Sequence, residues 1–321
     1  MKRKIKNFIL RFIPRRHIRM LLSRPVLVPS YYKRYIRKVE EVIDSQNIPY
    51  PEADAEYLLL LTRKFAHILD KGLHRNDIEK GHSHEIYREL KEILHAGHGE
   101  DYLNDPSVAW AREKLNYFEE LQQGTKKEPL SENTEKVLPR LDFGPLSDHL
   151  RSRRSNRAFL EKTVEKELLV RALETVNWTT TSCNKQPARV FATVDPDLAA
   201  ACARQCKGAT GFSKFIPAFL AFTADLRGYS MPDEMFLPYI DVSLGAQNFL
   251  LSAHSLGLST TALSWAQSSE EEEAALRKLL NIPDHCLIIF NAITGYPSKE
   301  YCIPAHKPVE KTVTFAPGSN P

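Results

Sequence analysis

The sequence predicts an α+β fold, and three observations carry that expectation. Apolar residues at helical spacing recur up to about residue 128. Apolar, β-prone runs, ARVFATV (188–194), AFLAFTA (218–224) and CLIIFNAITG (286–295), come only later. Helical patterns lie between these runs without strict alternation, which favours α+β over a doubly wound parallel sheet. The chain has 321 residues, 42% hydrophobic and 26% charged, the composition of a soluble globular protein with more than one domain.

The first element is basic. Ile5, Phe8, Ile9, Phe12 and Ile13 fall at helical spacing with Lys and Arg on the other side. Residues 1–38 hold thirteen Lys or Arg and no acid, leaving 31 basic against 40 acidic residues in the remainder, so the net +4 hides a basic end on an acidic body. Such a helix suits an anionic membrane surface, which gives its apolar face somewhere to go. It could instead pack on the rest of the protein. Nucleic acid fits less well, since no aromatic–basic RNA motif or zinc-finger spacing accompanies it. No run of about 18 apolar residues exists. Arg11, Arg15 and Arg16 interrupt the apolar head, and no small-residue cleavage site follows, so neither a transmembrane helix nor a signal peptide is expected. The expected location is cytoplasmic, with residues 1–24 as the candidate for peripheral membrane contact.

Three helices follow: DAEYLLLLTRKFAHILDKGL (54–73), HEIYRELKEILHAG (84–97) and VAWAREKLNYFEELQQG (108–124), the last two closed by Gly read as a left-handed cap. The stretch 124–145 is polar and Pro-punctuated, a linker. The expected organisation is therefore a helical region 1–128, a linker 129–147 and a second domain 148–321. In that domain Leu168, Leu169, Ala172, Leu173 and Val176 form one helix face, and IDVSLGAQNFLLSAHSLG (240–257) is a buried-looking helix. Ser269 and Glu272 form a capping-box pattern at the head of a helix that stops before Pro283, with the four acids 270–273 in its solvated first turn.

The five cysteines, Cys183, Cys202, Cys206, Cys286 and Cys302, are odd in number and scattered, which argues for a reducing compartment and against a disulfide framework. Cys202 and Cys206 lie one helical turn apart with no second ligand pair nearby, so they read as small helix residues and no metal site is expected.

Two clusters carry chemistry. RRSNRAF (153–159) supplies guanidinium forks and a hydroxyl, an inventory for one phosphate group, though a solvated basic turn has the same composition. TTTSCNKQP (179–187) offers short polar groups to the heteroatoms of a flat ligand, or is an ordinary Ser/Thr/Asn turn. Neither GxGxxG nor GxxxxGK[ST] is present.

Taken together, RSRRSNRAF, TTTSCNKQPARVFAT, YIDVSLGAQNFLLSAHSLGLST and LRKLLNIPDHCLIIFNAITGYPSKEYCIPAHKPVEKTVTF resemble, in order and spacing, the nitroreductase family of FMN-dependent oxidoreductases. The resemblance covers roughly residues 148–315. It implies a nitroreductase-like mixed sheet flanked by helices, and a homodimer with FMN at its interface. Arg153, Arg154, Ser155 and Arg157 would hold the FMN phosphate and ribityl chain. Thr180, Thr181, Ser182 and Asn184 of the partner copy would approach the ring, and Ala262, Leu263 and Ser264 would face it. Thr180 stands where the family has Pro, Ala188 where it has Trp, and His306, followed by Lys307, where it has an Arg that adds to phosphate binding. The reaction implied is two-electron hydride transfer between NAD(P)H and a small organic acceptor by a ping-pong mechanism, with no catalytic carboxylate. A flavin-cleaving or dehalogenating relative is the alternative enzyme. A membrane-tethered scaffold that has lost FMN is the alternative outside catalysis. Trp265, Phe212 and Phe236 are candidates either for the substrate pocket or for the core, and His254 reads as a core or interface histidine. The helical region, outside the family's usual core, would cap the site or enlarge the dimer.

Overall fold

The computed structural model describes residues 48–75, 83–125, 141–209, 215–230, 233–265, 268–299 and 305–316. The basic segment 1–38 with its membrane-contact region 1–24, most of the linker, Phe212 and Cys302 lie outside these residues.

Four helices come first: α1 (Ala55–Leu73), α2 (His84–Ala96), the single turn α3 (Glu100–Leu103) and α4 (Pro106–Gln123). Asp54 caps α1 by accepting from the Tyr57 N–H at 2.8 Å. Asp105 caps α4, where Pro106 takes the first-turn position that needs no N–H. Their apolar faces close two cores, one around Tyr57, Leu58, Leu61, Ile93 and Tyr102, the other around Leu69, Leu73, Leu90, Leu115 and Phe118. Gly124 ends α4 at φ +74°, the left-handed cap expected. Gly97 does not: its φ is −63°. A Cβ there would lie 1.9 Å from the Tyr102 ring, so the glycine permits close approach, and handedness plays no part.

The second part begins with α5 (Phe143–Ser152), which starts inside the stretch read as linker. Then follow α6 (Lys166–Leu173), β1 (Ala188–Thr193), α7 (Pro196–Arg204), β2 (Ala218–Asp225), α8 (Leu237–Ser255), β3 (Ser259–Leu263), α9 (Glu270–Leu280) and β4 (Cys286–Gly295). The sheet order is β1-β2-β4-β3, with all three strand pairings antiparallel. A parallel bridge between Ser155 and Thr260 makes the sheet mixed at the β3 edge. Helices cover both faces, so β2 is buried at every position: Ala218, Leu220, Phe222 and Ala224 meet α6 and α8, while Phe219 and Ala221 meet α7 and α9. This is the α+β architecture expected. The Ser269–Glu272 capping box has both of its hydrogen bonds. Cys202 and Cys206 are buried on the α7 side, where burial pushes both thiols up to about 12.

The helical part docks on the sheet domain through α1. Residues 57–62 are buried in succession because this helix is covered by its own bundle on one side and by the second domain on the other. Leu60 sits so close to Gly228 that a Cβ on the glycine would lie 1.9 Å from the leucine Cδ2. Arg189 pairs with Glu56, and the buried Arg227 pairs with Asp225 and Asp54. Among the described residues no helix is long and apolar enough to cross a membrane.

Candidate functional site

The arginine cluster sits where α5 ends. Arg153 leaves the helix in extended backbone, and the chain then runs along β3: Ser155 bridges Thr260, the Asn156 N–H donates to the Thr260 carbonyl, and Thr261 Oγ1 donates to the Asn156 carbonyl. Asn156 is 2% exposed, and its side chain closes the turn by accepting from the Ala158 N–H and donating to the Lys299 carbonyl. The arginines are thus tied to the strand that carries Ala262, Leu263 and Ser264, and the structure brings these two predicted groups together. Gly208 packs on the same strand end, where a Cβ would be 2.5 Å from the Ser264 nitrogen.

Two histidines stand beside the cluster. The His149 and His254 rings lie side by side, tilted by 30° with centroids 5.0 Å apart. Ser152 Oγ spends its one proton on the His149 carbonyl at 2.9 Å, so at 2.8 Å it accepts from His254 Nε2. Burial first, then His149, Arg153 and Arg154, lower the His254 pKa. Burial and the adjacent Arg154 likewise lower that of Arg153. Arg154 donates to the Arg151 and Arg153 carbonyls, and Arg157 is exposed.

The second cluster is a tight loop. Ser182–Asn184 form a single 3₁₀ turn, and Cys183, Asn184 and Gln186 all have φ near +50°. Left-handed backbone costs a side-chain-bearing residue about 1–2 kcal/mol, so this conformation must be imposed by its surroundings. The imposing groups are visible. Asp241, in the first turns of α8 and 3% exposed, accepts from the Ser182 N–H at 2.9 Å and from the Tyr229 hydroxyl at 2.7 Å. Burial and Asp241 push the Tyr229 phenol far up, keeping it a donor. Lys185 is fully buried, with its ammonium 2.6 Å from Glu234 and 4.5 Å from the Tyr229 ring centroid. Burial raises the Glu234 pKa, but Lys185 outweighs it and the net shift is downward. Thr180 is exposed, and Thr181, Ser182 and Asn184 are half-buried.

Within one chain the two clusters do not meet. The loop 179–187 sits at the Asp241 end of α8, while the arginines sit at its His254 end. Thirteen helical residues separate these ends, about 20 Å along the axis. His306 and Lys307 are exposed on the C-terminal segment, with no hydrogen bond or ion pair to the arginines among the described residues. Trp265 packs into the core on the α7 side, whereas Phe236, 66% exposed, does not belong to a core. Asp241, Lys185, Glu234, Ser152 and His149 were not singled out from sequence.

The arrangement defines an α+β domain with an arginine- and histidine-lined corner at one end of its central helix and a pinned polar loop at the other. Residues 150–214 and 209–296 match the family model described as Nitroreductase family. A relative from Archaeoglobus fulgidus, provisionally named NADH dehydrogenase/NAD(P)H nitroreductase, is 27% identical over 153 residues, 46% of this chain and 83% of that protein. A solved structure of a protein of the same provisional name from Bacteroides thetaiotaomicron is similar at 24% identity, covering 53% of this chain and 96% of its own, with a TM-score of 0.46. A provisionally named nitroreductase from Desulfovibrio desulfuricans, solved in complex with FMN, is similar at 20% identity, covering 54% and 97%, with a TM-score of 0.46.

Proposed function

We propose that this chain is an FMN-dependent oxidoreductase that moves a hydride between NAD(P)H and a small organic acceptor in ping-pong order, working as a homodimer. The observation that carries the reading is the separation of the two clusters along α8. A phosphorylated planar ligand needs both the cationic corner and the polar loop, and one chain offers them at opposite ends of a helix. A second copy, with its α8 running antiparallel beside the first, would set its loop against the first copy's arginines. The faces available for this are apolar: Tyr239, Ile240 and Leu244 on α8, Phe143, Leu146 and Leu150 on α5, and Trp178 at 86% exposure.

The donor set suits the cofactor. Arg153, Arg154 and the Ser155 hydroxyl would hold the dianionic phosphate, with Arg157 and the Ser152–His254 pair at the rim. Thr181, Ser182 and Asn184 of the other copy would offer hydrogen bonds to the ring edge, and the Ala262–Ser264 strand end would cover the ring. When bound, FMN supplies the hydride chemistry; the protein binds, orients and tunes it. His306, at the position where the family has an Arg that adds to phosphate binding, and Lys307 beside it are to be tested with the arginines. The Nitroreductase family match and the NAD(P)H named for the A. fulgidus relative support the donor assignment.

The test is the absorbance spectrum of the full chain as isolated and after addition of FMN. A yellow protein whose visible band bleaches on mixing with NADPH or NADH anaerobically, and returns with an electrophilic acceptor, is expected. A colourless protein that takes up no added FMN would overturn the proposal.

A further inference from the structure

The loop 179–187 is held by groups from its own domain and by α1, which packs against Ser182–Asn184. Arg63, on α1 of the helical region, donates from Nε to the carbonyl of Lys185 at 3.2 Å across 122 residues of sequence. The guanidinium is 15% exposed and is aimed by Asp105 at 3.8 Å and Ser107 Oγ at 3.5 Å, both at the head of α4. It is therefore a built-in side chain of the helical bundle. The atom it reaches matters. The Lys185 carbonyl belongs to the peptide that leads into Gln186, whose φ is +52°. Turning that peptide over would change ψ of Lys185 and φ of Gln186 together and release the left-handed conformation. The same peptide is pinned at its other end, where the Gln186 N–H donates to Thr181 Oγ1 at 3.1 Å. Thr181 is one of the residues assigned to the ring edge, and Gln186 Nε2 donates to Asn184 Oδ1, another, at 3.1 Å.

We infer that Arg63 is a positioning residue: by fixing the Lys185–Gln186 peptide, the helical region outside the family-matched residues sets where Thr181 and Asn184 stand in the cofactor site. The last step of this inference rests on the flavin reading above; the grip of Arg63 on the loop does not. This gives the extra helices a role at the site that is neither a cap over it nor an added dimer contact.

The experiment uses the full chain with Arg63→Met, and with Arg63→Gln, which keeps an amide N–H donor group without the charge. Deuterium exchange of the peptic fragment spanning 179–189, measured without added cofactor, is expected to be at least about tenfold faster in R63M and intermediate in R63Q. Should R63M fail to fold, the R63Q comparison with wild type decides. In the FMN-loaded protein, R63M is expected to bind FMN about tenfold more weakly and to shift the flavin midpoint potential, with R63Q closer to wild type. Unchanged exchange in both variants would overturn the grip. Faster exchange with wild-type FMN affinity and midpoint potential would overturn the positioning role. A wild-type chain that takes up no FMN but shows the graded exchange would sink the flavin reading and leave the grip of Arg63 supported.

Discussion

Guanidinium groups crowded together are unfavourable unless something of opposite charge offsets them, and in the proposed function the FMN phosphate would do so at Arg153 and Arg154. His254 reports on this crowding. Its pKa is held below 6.5 by burial and by the neighbouring cations, so the unfolded chain takes up the proton first as pH falls. Stability should therefore drop as pH decreases through that value, and His254→Asn should flatten this part of the profile. Urea unfolding of the two proteins at about pH 7.5 and about pH 5.5 checks it: a wild-type loss no larger than the variant's contradicts the assignment. Arg154→Ala tests the anion directly. Loss of a charged hydrogen bond should weaken FMN binding by about 1.5–3 kcal/mol, roughly 10- to 150-fold. Quenching of FMN fluorescence on titration measures this, and full retention of FMN by the variant counts against the arginine site. At this scale the sequence was informative where one residue type repeats, as in RRSNR. It was silent on Asp241, Lys185 and Arg63, because their roles come from partners 59, 49 and 122 residues away.

The elements differ in how openly they announce themselves. Helix α1 and strands β1, β2 and β4 could be read from apolar runs because burial on one or both faces dictates their composition. Strand β3, STTAL, was missed: it is five residues long and largely hydroxylated, and its ladder with β4 makes it a strand. Helix α5 was hidden by Gly144 and Pro145, which look like a turn although a first helical turn accepts Pro. Gly97 was misread because a glycine that admits an aromatic ring looks the same in sequence as one that turns the chain. The contact of α1 with Gly228 was equally invisible and is testable. Gly228→Ala should destabilise the chain by about 1–3 kcal/mol through overpacking against Leu60. Leu60→Ala should cost about 2–5 kcal/mol through the cavity it leaves. Because the two groups compete for one space, the double variant should be more stable than the sum of the two costs predicts, by about 1 kcal/mol. Strict additivity in denaturant unfolding would mean that α1 does not dock as described.

At the scale of the whole molecule, the question is why α8 is buried along one side yet exposes Tyr239 at 40%, Ile240 at 52% and Leu244 at 45%. Gly245 explains the buried side: it lets the Glu174–Trp178 turn cross the helix, with Val176 Cγ1 3.0 Å from where a Cβ would stand. On the exposed side, three large apolar groups spaced over one and a half turns make a stripe that water disfavours. In the proposed dimer a second copy would cover the stripe and at the same time join the loop of one chain to the arginines of the other, so a single assembly would answer both the packing problem and the divided site. Ile240→Arg together with Leu244→Arg places like charges opposite each other across that contact, where desolvation and repulsion act together. Sedimentation velocity should show the wild-type chain as a two-copy particle and the double variant as a single copy with unchanged far-UV circular dichroism. FMN binding should fall with assembly, since each separated chain keeps its arginines but loses the facing loop. The decisive comparison is between the two readouts. A single-copy variant that holds FMN as tightly as wild type would show that one chain suffices for the site. A variant that stays paired would place the contact between copies on some other face.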